Sequence, residues 1–88
     1  MPANYHLKLY IAGDSVRSRL TVENVRKVCT RLPKGHCKVD VIDLRKEPEI
    51  AIRDQIFAIP TLIIASYDST HQYIGDFAST DKVLQLLK

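Results

Sequence analysis

Tryptophan is absent from this chain, glycine occurs 3 times and cysteine twice. No stretch of about 18 consecutive apolar residues occurs, so no segment reads as a membrane-spanning helix. The residues from Met1 to His6 lack a basic head and an apolar core of sufficient length, so they do not read as a secretory signal. Cys29 and Cys37 do not form a Cys-x-x-Cys pair, and His6, His36 and His71 are scattered, so the spacing of a structural zinc site is missing. An ordered Ser/His/Asp set, a phosphate-cradling glycine loop and a helix-borne pair of carboxylates are missing too. The residues therefore point to no catalysis, metal or cofactor. The net charge of +3 comes from basic residues interspersed with acids, without aromatic platforms, which argues against a nucleic-acid surface.

Two cysteines in such a chain fit a reducing compartment, and the expected location is the cytoplasm. Cys29 falls on the apolar face of a helix and Cys37 lies where a strand begins; both read as unreactive thiols. A bond between them would need Cα atoms within about 7 Å, a distance the sequence leaves open.

What is present is enough for one small globular domain over residues 1–88: the chain has 88 residues, is 45% hydrophobic and contains four prolines. Linkers, repeats and low-complexity segments are not visible. Leu7 to Ala12 reads as a strand, with Leu7, Leu9 and Ile11 on one face, and Gly13-Asp14 breaks it. A helix is expected from about Ser18, as N-cap, to Arg31, with Val22, Val25, Val28, Cys29 and Leu32 facing inward and Pro33-Lys34-Gly35 ending it. Its many basic residues, from Arg17 to Lys34, read as a solvated face, with contact to an acidic partner as the alternative.

Lys38 to Asp43 is the second expected strand, and strand–helix–strand over this distance reads as a right-handed crossover between parallel strands. Pro48 opens a short helix to about Ile56. Thr61 to Ala65, apolar almost throughout, reads as a central strand. The turn Tyr67-Asp68-Ser69-Thr70 leads into a short fourth strand, Gln72 to Ile74, and Ser79 caps a last helix with Val83, Leu84 and Leu87 inward. The fold class is α/β: β-α-β-α-β-β-α, a mixed four-stranded sheet with helices on its faces.

Pro60 stands immediately before the third strand, where a residue without an N–H belongs. The bond before a proline is also the one kind that adopts the cis form at modest cost, and its slow isomerisation can gate a refolding event. Thioredoxin-like domains often carry a cis-proline at this place, beside the site where thiols or partners dock. A thioredoxin enzyme also needs Cys-x-x-Cys at the start of its first helix, whereas this chain has Asp14-Ser15-Val16-Arg17-Ser18. A redox scaffold without its sulfur reads as a binding module.

Leu7 to Gly13, Val41-Ile42-Asp43-Leu44, Pro48, Asp54-Gln55-Ile56, Ile59-Pro60-Thr61-Leu62 and Ile74-Gly75-Asp76 together resemble the KaiB family of circadian clock proteins. The resemblance runs from about Leu7 to Leu87. It implies a non-enzymatic protein that binds the ATPase ring of KaiC, helps sequester KaiA and displaces the SasA histidine kinase. It also implies two interconverting folds, a usually tetrameric ground state with a rearranged C-terminal half and a thioredoxin-like state that binds KaiC. Between Ile63 and Tyr73 the prolines and basic residues typical of the family are replaced by a good strand–turn–strand hairpin, so local preference favours the thioredoxin-like state.

By matching position, the resemblance places partner contact at Lys46, Arg53, Gln55 and Pro60. The expected partner is a KaiC-type ATPase, with a KaiA-like protein or a histidine kinase beside it, and a homo-oligomer, dimer or tetramer, as a further alternative. A thioredoxin-like adaptor or sensory domain for a separately encoded kinase, and a thiol redox protein using Cys29 and Cys37, are the other functions these residues allow.

Overall fold

A computed structural model describes residues 4–75, 77 and 80–87. Its elements are β1 (Tyr5–Ile11), α1 (Val16–Thr30), β2 (Cys37–Asp43), α2 (Pro48–Arg53), β3 (Thr61–Ala65), β4 (Thr70–Ile74) and α3 (Thr80–Leu86), in the expected order. The sheet order is β2-β1-β3-β4. β1 pairs parallel with β2, while β3 lies antiparallel to both β1 and β4. The expected mixed sheet is therefore present. The expected cap at Ser79, and Asp76, lie outside the described residues.

Alternation along β1 divides the molecule. Leu7 and Leu9 sit opposite Ile64 and Leu62 in register and, with Ile11, point to one face. On that face they form a core with Val25 and Val28 of α1, Val83 of α3, Phe77 and Leu87. The other face carries His6, Lys8 and Tyr10 of β1, in register with Lys38, Asp40 and Ile42 of β2. There the His6 imidazole pairs with Asp40, whose carboxyl this contact holds below the usual range. One face is thus a packed interior. The second is polar toward the start of β1 and covered toward its end, where Tyr10 meets the residue that follows α2.

The strands also define two ends. Because β1 and β2 are parallel, Tyr5 and Cys37 share one end and Ile11 and Asp43 the other. β3 starts at the second end, since Thr61 pairs with Tyr10. α1 begins near that end and returns to the first. Asp43 fastens the second end: its Oδ1 accepts from the backbone N–H of Gly13 and of Arg45, both at 2.9 Å. β4 is an outer strand, largely exposed, and Thr70-His71-Gln72-Tyr73-Ile74 contains no Asp, Glu, Lys or Arg.

Three expectations need correction. α1 starts earlier than Ser18: Ser15 is the N-cap, and its hydroxyl accepts from the Ser18 N–H at 3.1 Å. Either serine meets the compositional preference for a cap, and the earlier one has the extended backbone the cap requires. α2 ends at Arg53 instead of Ile56, because Gln55 takes a left-handed conformation (φ 58°) that a helix cannot continue through.

The third correction concerns the cysteines, which are bonded to each other, with Cα atoms 5.4 Å apart. Cys37 shares the face of Val39 and Val41, which α1 covers, and Cys29 points from α1 toward that face. The turn 31–36 brings the two ends together.

Candidate partner-binding surface

β2 ends and β3 begins at the same end of the sheet, so the crossover between them stays there. Lys46, Arg53, Gln55 and Pro60 all belong to it. Lys46 lies in the turn before α2, where its N–H donates to the Asp43 carbonyl at 3.0 Å and its side chain is exposed. Pro48 stands in the first turn of α2, where its missing N–H costs nothing. Arg53 is in the last turn, where a cation suits the helix dipole.

Asp54 fixes this helix to the sheet. Its Oδ1 receives Arg53 Nε at 3.0 Å and its Oδ2 receives the Tyr10 hydroxyl at 2.7 Å. These two donors, Arg53 first, hold the Asp54 carboxyl below the usual carboxylate range. Tyr10 is shifted the other way: burial, aided by the hydrogen bond to Asp54, pushes its hydroxyl up to about 12. Gln55, directly after this anchor, is exposed and turned by its left-handed backbone. The chain dips back at Ile56, which is buried, and Thr61, whose hydroxyl donates to the Ala58 carbonyl at 2.6 Å, closes the turn.

The Ile59–Pro60 peptide is cis. Pro60 and Ile59 face the start of α1 across a depression of about 190 Å³ lined also by Ser15, Arg17 and Ser18. This is where a thioredoxin enzyme would carry its sulfur pair. Here it holds hydroxyls and a guanidinium, and the chain's two cysteines lie at the opposite end of the sheet. Among the described residues no group of three or more His, Cys, Asp or Glu could hold a metal ion. The same residues contain no helix long and apolar enough to cross a membrane.

The sequence reading missed the apolar part of this surface. Phe57 is 89% exposed and Ile52 84%, and Ile59 is half exposed. Val16 and Leu20 of α1 are exposed as well. One signal was available for Ile52. Ile50 and Ile52 are two apart on a helix, so their side chains point in very different directions and only one can face inward. Phe57 gave none, because it sits among apolar residues that read as a lead into β3. The crossover thus carries exposed apolar side chains close in sequence to the cations Lys46 and Arg53, a composition suited to protein contact.

Comparison with known proteins agrees with the fold. The KaiB domain matches residues 8–88. Circadian clock protein KaiB3 of Synechocystis sp. is 36% identical over 78 residues, which are 89% of this chain and 76% of that protein. The circadian clock oscillator protein KaiB of Prochlorococcus marinus is 36% identical over 80 residues, 91% of this chain and 76% of its own. Among solved structures, the N-terminal domain of SasA from Synechococcus elongatus superposes with a TM-score of 0.76 at 17% identity, covering 99% of this chain and 82% of that one. Chloroplastic thioredoxin z gives 0.81 at 18% identity, covering 96% and 75%. The architecture is thioredoxin-like, as the hairpin of β3 and β4 led one to expect, and not the rearranged alternative.

Proposed function

Because this chain belongs to the KaiB family, we propose that it is a non-enzymatic clock-type regulator that docks on a KaiC-type ATPase through its β2–β3 crossover. The observation that carries this reading is the surface itself. Exposed Ile52 and Arg53 end a short helix that contributes little to the core, and exposed Gln55 and Phe57 follow directly after it. Aromatic and aliphatic anchors beside a guanidinium are the usual makings of an interface centre. Lys46, at the start of the same crossover, adds a cation that would speed association with an acidic patch.

The absence of sulfur beside Pro60 favours binding over thiol chemistry at this end of the sheet. The protein works as one unit in the cytoplasm in this reading. A KaiA-like protein or a histidine kinase would be a second partner of the same assembly.

The test is size-exclusion chromatography of the chain with a hexameric KaiC-type ATPase from the same organism, with ATP present. A stable shared peak is the expected result. Separate peaks, with the ATPase hexameric and the chain folded, would remove this reading, and co-elution with a histidine kinase instead would make the chain a kinase adaptor.

A further inference from the structure

The end of the sheet away from α2 is organised around the bond between Cys29 and Cys37. Both residues are only half-buried, and both line a surface depression of about 360 Å³ together with Lys34 and Gly35. A sulfur at the wall of an open depression can be reached by an attacking thiolate, which a sulfur inside a packed core cannot. The surroundings suit that approach. Exposed Lys34 stands in the wall of the same depression. A cation beside a disulfide favours both the incoming thiolate and the one that leaves.

The bond also has something to control. Cys37 pairs in register with Tyr5. The Tyr5 N–H donates to the His36 carbonyl at 2.8 Å, and its hydroxyl reaches across to donate to the Leu87 carbonyl at 2.7 Å. The link therefore runs from the disulfide through the first residue of β1 to the end of α3. α3 is short and rests on α1, the helix that carries Cys29.

We propose that Cys29–Cys37 is a reversible thiol–disulfide exchange site, with a dithiol as co-reactant, whose state sets how firmly Tyr5 and α3 are held. One thiolate of the dithiol attacks a sulfur of the bond, forming a mixed disulfide and releasing the other cysteine as a thiolate that takes up a proton. The second thiol of the reductant, as thiolate, then displaces the remaining cysteine, which is protonated in turn. Two electrons and two protons pass to the protein, and the dithiol leaves as its disulfide. Reduction frees the turn 30–36 and loosens its grip on Tyr5, while Asp43, Asp54 and α2 at the far end keep their contacts. This site is independent of the docking reading above.

The experiment uses the full chain, purified without reductant, with acid-quenched alkylation read by mass spectrometry and amide hydrogen exchange on both forms. Millimolar dithiothreitol should reduce the bond while circular dichroism stays native, and glutathione disulfide should restore it. Exchange at Tyr5 and across α3 should become roughly ten-fold faster on reduction, with residues 48–56 unchanged. The C29S/C37S double variant should match the reduced chain and ignore dithiothreitol. Reduction only in denaturant, loss of the whole fold on reduction, thiols that glutathione disulfide leaves unbonded, or unchanged exchange at α3 would each overturn the proposal.

Discussion

The hydroxyl of Tyr10, in the middle of the sheet, donates at 2.7 Å to the carboxylate of Asp54, the residue that ends α2. Tyr10 is almost fully buried, so this is the fixed point from which the exposed crossover is hung. Tyr10→Phe keeps the ring and removes the donor. The expected loss is about 1.5 kcal/mol, at the low end for a hydrogen bond to a charged group because Arg53 still serves Asp54. Urea denaturation monitored by circular dichroism measures it, and an unchanged midpoint would mean that the bond carries no net stability.

The same pair predicts how stability depends on pH. The folded Tyr10 hydroxyl ionises at about 12, whereas an unfolded tyrosine does so at about 10. Its contribution is complete below pH 10 and disappears as the pH rises from 10 toward 12. Asp54, Asp43 and Asp40 are all held below the usual carboxylate range, by Arg53, by the Gly13 N–H and by His6 respectively. Their contribution is present above roughly pH 4 and is lost as the pH falls through their folded values. Denaturation midpoints across this range should show a plateau with both shoulders, and Tyr10→Phe should flatten the alkaline one and, by taking away one of the two donors to Asp54, lessen the acid one.

Ser15 and Ser18 separate two accounts of where α1 begins. Ser15→Ala removes the side chain that caps the Ser18 N–H and should cost about 1 kcal/mol. Ser18→Ala removes only a hydroxyl in the first turn, in contact with Ser15 Oγ, and should stay within about 0.5 kcal/mol of the parent. The reverse order in thermal or chemical denaturation would place the cap at Ser18.

For the proposed docking surface, Lys46→Glu combined with Arg53→Glu reverses two exposed charges. Each exchange removes an attraction and adds a repulsion, so affinity for the ATPase should fall at least about ten-fold, mostly through slower association at low salt. Phe57→Ser tests the apolar part. Its ring is exposed in the free chain, so folding should hardly change while the complex dissociates faster. Surface plasmon resonance against the immobilised hexamer resolves both rates. Unaltered binding by both variants would place the contact elsewhere.

How far the sequence disclosed this arrangement depended on whether a residue's environment was local. Leu7, Leu9 and Ile11 alternate regardless of what packs on them, and Pro60 followed by five mostly apolar residues marks β3 from Thr61 to Ala65 as the structure has it. Pro48 likewise announced α2. The end of α2 was less legible, since the left-handed Gln55 follows from the Asp54 anchor, and that anchor depends on Tyr10, distant in the chain. The disulfide was half legible. Strand parity puts Cys37 on the face of Val39 and Val41, and helical spacing puts Cys29 on the face of Val25, but their 5.4 Å separation arises only when the turn between them closes. The exposure of Phe57 was hidden because an apolar residue beside a buried strand gives the same signal whether it packs or projects.

Every residue of α2 is at least partly exposed, and the helix is held from its two ends, by the Glu47 N–H that donates to the Asp43 carbonyl just before it and by Asp54 just beyond its last turn. A segment fastened in this way places few demands on the identity of Glu49 or Ile52. Those positions can drift without disturbing the interior, so descendants of one ancestral scaffold can change what they recognise while their cores stay alike. The crossover is in that sense the part of the molecule most open to evolutionary revision, and partner choice is the trait it would revise.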